Sequence, residues 1–249
     1  MPLVAIIGGT GIDVADLLSE YREIHCETRY GAPAAGLALG YLGAQEVLFL
    51  PRHGSAQSVP PHRINYRANI RALKELEASS IIAFAAVGGI SARAAPGAIL
   101  VPDQIIDYTY GRTQTFYDDA GEVQYVDFSS PYAERVRSAL LAVADTVKIA
   151  IVAGGVYGAM QGPRLESAAE IRRLRQDGCD VVGMTGMPEA ALAREAGIDY
   201  AALAIVANRA AGLGSEPITI EQMMATLRAA QAKAASIVRG AVERLGIGV

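Results

Sequence analysis

Residue types that bind anions occur at four points where a predicted strand ends. The four are Gly8–Gly11, Arg52-His53, Gly88-Gly89 and Met184-Thr185. Successive glycines let backbone N–H groups approach an anion closely, a threonine adds a hydroxyl donor, and an arginine with a neighbouring imidazole can clamp a phosphate. Any one of these turns could be an ordinary connection or a surface pair. Because three of the ends offer anion donors, the pattern predicts a ligand cleft at the carboxyl ends of the strands.

The stretch Gln161–Glu195 carries the densest set of such signals. It reads as a loop, a helix that begins at Glu166 and stops near Gly178, and a strand over the six residues CDVVGM. The turn Thr185–Glu189 then leads into a second helix with proline in its first turn and an acidic residue beside it. A hydroxyl and free N–H groups at a helix start favour an anion, although an ordinary strand–helix connection has the same appearance.

The elements that must position these residues alternate between strands and helices along the chain. Predicted strands cover Leu3–Ile7, Leu37–Leu42, Glu46–Leu50, Ser80–Val87, Ile99–Ile106, Val147–Gly158 and Tyr200–Ala207. Pro102 should bend the fifth of these or place it at a sheet edge. Irregular segments are predicted over Ser55–His62, Tyr108–Ser130 and Arg209–Pro217, and the last of these could act as a lid.

Three further helices are predicted from capping residues and apolar spacing. Asn65 caps a helix that reaches about Leu76, and a second helix runs from Pro131 to about Thr146. Thr219 and Gln222 form a capping box for the last helix. Its apolar stripe consists of Met223, Leu227, Ala230, Ala234, Ile237 and Ala241. The alternation of strands and helices predicts an α/β fold.

Composition excludes several classes of protein. The chain has 249 residues, which fits one large domain over residues 1–249, although two domains of about 125 residues also fit the length. A net charge of −4 with scattered basic residues disfavours nucleic acid as a partner. Two cysteines without metal-ligand spacing indicate reduced thiols in a cytosolic protein. No signal peptide opens the chain, and no apolar run is long enough to span a membrane.

Two common nucleotide-binding motifs are incomplete at the first glycine turn. Val14 stands where the dinucleotide fingerprint requires glycine, and no P-loop lysine follows. A dehydrogenase is therefore disfavoured.

Together, several motifs resemble the purine nucleoside phosphorylase and methylthioadenosine phosphorylase family. They are GGTG, RHG, NYRANIRALK, AVGGI, QGPRLES-AE and VGMTGMPEAALARE, in this order between about Val4 and Leu245. The resemblance implies a single α/β domain around a mixed, barrel-like sheet, assembled as a homotrimer or as a hexamer made of two trimers. It also implies reversible phosphorolysis of a purine nucleoside, with inorganic phosphate as co-substrate and no metal or organic cofactor.

The same resemblance assigns roles to individual residues. Phosphate would be held by Thr10, Arg52, His53, the backbone near Ala86, and Thr185. Met184 would lie against the ribose. Glu166 would accept from N1–H of a 6-oxopurine, and Asn208 would bond N7 and O6; methylthioadenosine phosphorylases have Ser and Asp at these two positions. The expected catalytic groups are therefore Asn208, Glu166 and His53, and the base is a 6-oxopurine.

The residues expected near the 5′ end of the sugar favour a methylthio group there. Phosphorylases for 5′-hydroxy nucleosides have a histidine near the lid helix, whereas this chain has Ile220, Met223 and Met224 there and no histidine after His62. An apolar, polarizable pocket suits a thioether. Three positions depart from relatives: Gln57 replaces a histidine near the phosphate, Tyr125 replaces a neighbouring subunit's histidine beside the 5′ group, and Gly183 replaces the asparagine of adenine-type relatives.

The residues expected at the base and those expected at the 5′ group together predict 5′-methylthioinosine as the substrate and a role in purine salvage. Three alternatives remain. The enzyme could be an ordinary 6-oxopurine nucleoside phosphorylase that uses inosine and guanosine, or one with dual specificity. From a different class, the chain could be a non-catalytic nucleoside-binding homologue, although such a protein needs no phosphate clamp.

Overall fold

A single mixed sheet forms the centre of the molecule. The computed structural model describes residues 2–54, 58–118, 121 and 123–247. Its strands are β1 (Leu3–Gly8), β2 (Ser19–Ile24), β3 (Leu37–Leu42), β4 (Gln45–Pro51), β5 (Ala78–Gly89), β6 (Ile99–Val101), β7 (Gln104–Asp107), β8 (Val152–Ala153), β9 (Val156–Ala159), β10 (Val181–Gly183) and β11 (Asp199–Arg209). The main path of the sheet runs β2-β3-β4-β1-β5-β10-β9-β7, and β11, β6 and β8 branch from β5.

Strand β5 is the strand at which the sheet branches. Its first half pairs with β1 in parallel, its end pairs with β10 in antiparallel at Gly88 and Gly89, and β11 runs parallel to it. Strand β5 is apolar throughout its middle and nearly all of it is buried, as expected for a strand covered on both faces. This arrangement confirms the expected α/β fold with a central mixed sheet flanked by helices.

Helices cover both faces of the sheet. They are α1 (Val14–Leu17), α2 (Tyr66–Glu75), α3 (Glu134–Thr146), α4 (Ala168–Gln176), α5 (Gly186–Glu195) and α6 (Ile220–Gly246), with a 3₁₀ turn at Pro61–Arg63. The alternation of side chains along β1 divides the core, since Ala5 and Ile7 belong to one apolar cluster and Val4 and Ile6 to another. Helices α2 and α5 pack on the first cluster, and α3 and α6 pack on the second.

The Asn65 cap is present as predicted, whereas the described residues show only one half of the capping box predicted for α6. The Asn65 side chain accepts from Ala68 N–H at 3.1 Å, and Ile70 and Leu73 of α2 are fully buried. The Thr219 hydroxyl accepts from Gln222 N–H at 3.3 Å at the start of α6. The predicted stripe of α6 is buried from Leu227 onwards.

Several predicted boundaries were wrong. The residues predicted as one strand around Pro102 form two, β6 and β7, which pair with different neighbours because proline removes a ladder donor. The predicted strand 147–158 consists of the short β8 and β9, separated by Gly154 and Gly155 with positive φ. Helix α3 begins at Glu134 rather than at Pro131.

None of the helices within the described residues is both long and apolar enough to cross a membrane.

Candidate active site

One cavity collects most of the residues predicted to bind substrate. Its volume is about 190 Å³. It is lined by Thr10, Arg52, His53, Ala86, Glu166, Met184, Thr185, Asn208 and Met223, together with Gly9, Pro61, Val87, Gly88, Pro163, Leu165, Val182, Gly183, Ala210, Ala211 and Ile218. Residues from five strand ends and from the loop before α4 thus meet in one place. A second cavity, of about 270 Å³, lies beyond Arg52 and His53 and exposes the carboxylates of Asp13 and Glu23, which do not suit a phosphate.

Arg52 is the most firmly held side chain of the cavity. It is 1% exposed, and its Nε and Nη2 donate to the Glu189 carboxylate at 2.6 and 2.7 Å. Its Nη1 donates to the Phe84 carbonyl at 2.7 Å. Burial by itself would lower the pKa of Arg52, but the charge of Glu189 and the hydrogen bonds to it outweigh this effect. The pKa of Arg52 is raised overall, so the guanidinium stays charged. Each terminal nitrogen keeps one N–H beyond these bonds, and an anion in the cavity can accept from them.

A close backbone approach is needed beside Arg52. A Cβ atom at Gly9 would lie 2.7 Å from the Phe84 carbonyl oxygen and 3.1 Å from Arg52 Nη1. Only glycine therefore lets the first turn pack against the guanidinium. Thr10 follows directly and lines the cavity.

His53 is a neutral imidazole whose orientation is fixed. Its Nδ1 lies 2.9 Å from the Val59 carbonyl, and because a carbonyl can only accept, Nδ1 carries the proton. Burial, followed by the charge of Arg52, lowers the pKa of His53. Its Nε2 is then an acceptor, which can take a hydrogen bond from the protonated oxygen of a phosphate.

The turn before α5 supplies a hydroxyl to the cavity. Thr185 precedes the helix and is 8% exposed, yet its side chain makes no capping hydrogen bond. Met187 departs from helical geometry, so the regular part of α5 begins with Pro188. The Thr185 side chain lines the cavity next to the buried Tyr157, with which its hydroxyl makes a hydrogen bond.

Glu166 and Asn208 line the same cavity as Arg52 and His53. Glu166 lies in the loop before α4 and not in the helix, which starts only after the Ser167 cap. Burial raises the pKa of Glu166. Asn208 follows an irregularity in the pairing of β11 with β5, and its Nδ2 donates to the Arg209 carbonyl at 2.7 Å. A bulge of this kind re-aims a side chain, and here it leaves one amide N–H and the amide oxygen for a ligand.

The side predicted to meet the sugar is more apolar. Met184 lies against the Gln161–Glu166 loop, since a Cβ atom at Gly162 would be 2.5 Å from its sulfur. Met223 lines the cavity, whereas Met224 packs against the apolar core. Ile220 is 79% exposed and is absent from the lining.

Tyr125 is not brought to the cavity of its own chain. Its side chain is 92% exposed and is absent from the lining. Gln57 lies outside the described residues.

The sequence analysis missed Glu189, Tyr157 and Tyr200, which support this site. Glu189 is fully buried and also accepts from the Tyr200 hydroxyl at 2.8 Å. Tyr157 is fully buried beneath the Thr185 turn, and a Cβ atom at Gly183 would be 2.0 Å from its hydroxyl. The only signal for Glu189 was its acidity at a helix start, and nothing in the sequence pairs it with an arginine 137 positions away.

Comparisons with known proteins agree on one family. Residues 3–243 match the phosphorylase superfamily. A probable S-methyl-5′-thioinosine phosphorylase of Xanthomonas campestris is 51% identical over 91% of this chain and 92% of its own length. A 6-oxopurine nucleoside phosphorylase of Pyrococcus furiosus is 45% identical over 90% of this chain and 86% of its own. The solved methylthioadenosine phosphorylase of Schistosoma mansoni in complex with adenine superposes with a TM-score of 0.96 at 31% identity, over 100% of this chain and 93% of that one.

Proposed function

We propose that this chain, which belongs to the phosphorylase superfamily, cleaves 5′-methylthioinosine with inorganic phosphate to give hypoxanthine and 5-methylthioribose 1-phosphate. One observation carries the proposal: a single cavity is lined both by the anion donors Thr10, Arg52 and Thr185 and by the pair Glu166 and Asn208. The family resemblance inferred from the motifs is confirmed, and the relatives include proteins named as probable S-methyl-5′-thioinosine phosphorylases.

The choice of base rests on Glu166 and Asn208. A carboxylate accepts from N1–H of hypoxanthine, and the remaining amide N–H of Asn208 can donate to N7 or to O6, both of which are acceptors. Adenine presents an unprotonated N1 to Glu166, which leaves the carboxylate without a donor. Such a mismatch can reduce kcat/KM by up to about 10⁴–10⁵.

The choice of 5′ group rests on Met223 and on residue types. Met223, in the first turn of α6, lines the cavity together with Asn208, and the chain contains no histidine after His62 to bond a 5′-hydroxyl. A methionine thioether packs favourably against the methylthio group and offers little to a hydroxyl.

The mechanism follows from the placement of charge. As the bond between C1′ and the purine loosens, positive charge develops on the ribosyl ring, as in glycoside hydrolysis. Phosphate held by Arg52, Thr10 and Thr185 stabilises this cation and attacks C1′, so its positioning contributes much of the rate. Asn208 stabilises the departing purine by donating to N7, while Glu166 orients it. The bond from C1′ to the purine breaks, the bond from C1′ to a phosphate oxygen forms, and the proton that phosphate loses on becoming an ester is taken up by the purine.

The assembly proposed with this activity is a homotrimer, or a hexamer made of two trimers. Tyr125 is far more exposed than an aromatic side chain in a finished site should be. A neighbouring copy that received Tyr125 would complete its 5′ pocket with it.

Phosphate-dependent release of hypoxanthine from 5′-methylthioinosine tests the proposal. Turnover that requires phosphate supports it, with Arg52→Met as a control that should lose most activity. Tight binding of nucleoside without turnover would instead identify a non-catalytic binding protein. A 6-oxopurine nucleoside phosphorylase, the name of several relatives, would cleave inosine and guanosine better than methylthioinosine.

A further inference from the structure

Arg112, in the segment that follows β7, contacts the backbone of two segments that line the cavity. Arg112 belongs to the irregular stretch for which the sequence predicted no structure beyond a loop. It is half-buried, and its guanidinium lies over the ring of Tyr66, 5.4 Å from the centroid. The Tyr66 hydroxyl lies 3.2 Å from Nη1.

The guanidinium of Arg112 binds two separate backbone segments at once. Nη1 donates to the carbonyls of Met184 and Met187 at 2.9 and 2.5 Å. Nη2 donates to the carbonyl of Gln161 at 2.8 Å, with that of Met160 at 3.4 Å, and Nε donates to the Gln161 side chain at 3.1 Å.

Both segments line the cavity. The turn 184–187 contributes Met184 and Thr185, which the proposed function places against the sugar and the phosphate, and the loop 160–166 ends on Glu166, which it places against the base. At their starts the two segments are joined by the hydrogen bond from Met160 N–H to the Gly183 carbonyl at 2.7 Å. Beyond it, the contact between Gly162 and the Met184 sulfur involves a flexible side chain. The planar fork of Arg112 joins the two backbones rigidly, which the single flexible amine of a lysine cannot do.

We propose that Arg112 is a positioning residue of the phosphorolysis site, which fixes the distance between the purine-binding loop 160–166 and the phosphate- and ribose-binding turn 184–187. The inference rests on the proposed function. It assigns Arg112 no contact with substrate, because the groups that it binds are the carbonyls behind the cavity. Loosening the two segments leaves each half able to bind its part of the substrate but misaligns C1′ and phosphate.

The test compares Arg112→Ala, Arg112→Lys and the parent with methylthioinosine and phosphate. A misplacement of about 1 Å costs about 100-fold in rate, so we expect kcat to fall about 100-fold in both variants while each KM changes much less. Arg173→Ala is the matched control, because Arg173 also lies over a tyrosine ring, that of Tyr108 at 5.7 Å, but is 72% exposed on α4. It should keep the kcat of the parent.

Free guanidinium provides a readout that a loss of stability alone would not give. Arg112 borders a cleft of about 340 Å³ formed with residues 62–67, through which a small cation can reach the vacated position. Guanidinium, at concentrations far below those that unfold the protein, should raise the kcat of Arg112→Ala and leave that of Arg112→Lys unchanged.

Three outcomes would overturn the inference: a parental kcat in Arg112→Ala, a parental kcat in Arg112→Lys, or a lower unfolding temperature with parental kinetics. If Arg112→Ala does not fold, Arg112→Lys alone decides. A parent that turns over no nucleoside would instead remove the proposed function, so the two failures are distinguishable.

Discussion

Among substitutions that preserve the shape of the side chain, Glu189→Gln should be one of the most destabilising in this protein. Glu189 accepts three hydrogen bonds, at 2.6 and 2.7 Å from Arg52 and at 2.8 Å from Tyr200, and it is fully buried. The amide of glutamine would place N–H groups against an Arg52 donor. At least one charge-assisted bond, of about 1.5–3 kcal/mol, is then lost, and Arg52 becomes a buried cation without its counter-ion. We expect a total loss of about 3–5 kcal/mol in the free energy of unfolding.

Urea unfolding in phosphate-free buffer measures this loss against a matched control. Arg71 and Glu75 form the same type of bond, with Nε 2.7 Å from the carboxylate, but their side chains are 40% and 37% exposed. Glu75→Gln should therefore cost below about 1 kcal/mol. Adding phosphate should stabilise Glu189→Gln more than the parent, because the bound anion supplies the missing negative charge. Equal losses in Glu189→Gln and Glu75→Gln would refute the reasoning.

Three further substitutions probe the cavity. Asn208→Ala should lower kcat about 10²–10³-fold. The unfolding midpoint should change little, because among the described residues the Asn208 side chain bonds only to the adjacent Arg209. The same steady-state kinetics in the variant and the parent would refute the role of Asn208. Burial raises the pKa of Glu166, so its carboxylate becomes protonated at a higher pH than that of an exposed glutamate. As the pH is lowered, kcat/KM of the parent should therefore begin to fall at that higher pH. A pH profile of Glu166→Gln should lack this fall, and an identical acid limb would assign it to another group. Met223→Ala should lower kcat/KM for methylthioinosine about tenfold, equivalent to losing one or two buried methylene groups, and for inosine less; equal losses for both substrates would move the 5′ pocket elsewhere.

Local rules made much of the fold predictable. The predicted bounds of β3 are those observed, and the Asn65 cap sets the start of α2 as expected, because both depend on neighbouring residues alone. The separate strands on either side of Pro102 were not predicted. Their pairing partners come from distant parts of the chain, and a short apolar run does not identify its partner.

The candidate site divides in the same way. The cavity brings together nine predicted residues, of which seven lie within the family motifs and two, Asn208 and Met223, lie outside them. The supporting residues could not be predicted because tertiary contacts set their roles. Glu189 pairs with Arg52, which follows β4 and is distant in sequence. Arg112 binds backbone carbonyls, and since every residue has a carbonyl, the sequence does not identify which ones it binds. Tyr125 stays a prediction, because its role depends on contact with a neighbouring copy of the chain.

The ratio of kcat/KM for 5′-methylthioinosine to that for inosine, with methylthioadenosine measured alongside, tests the central claim most directly. Each should be measured on purified protein with saturating phosphate. The account predicts that methylthioinosine is clearly the best substrate, inosine weaker, and methylthioadenosine slower by orders of magnitude. A higher kcat/KM for inosine would contradict the apolar 5′ pocket. A higher value for methylthioadenosine would contradict the roles of Glu166 and Asn208.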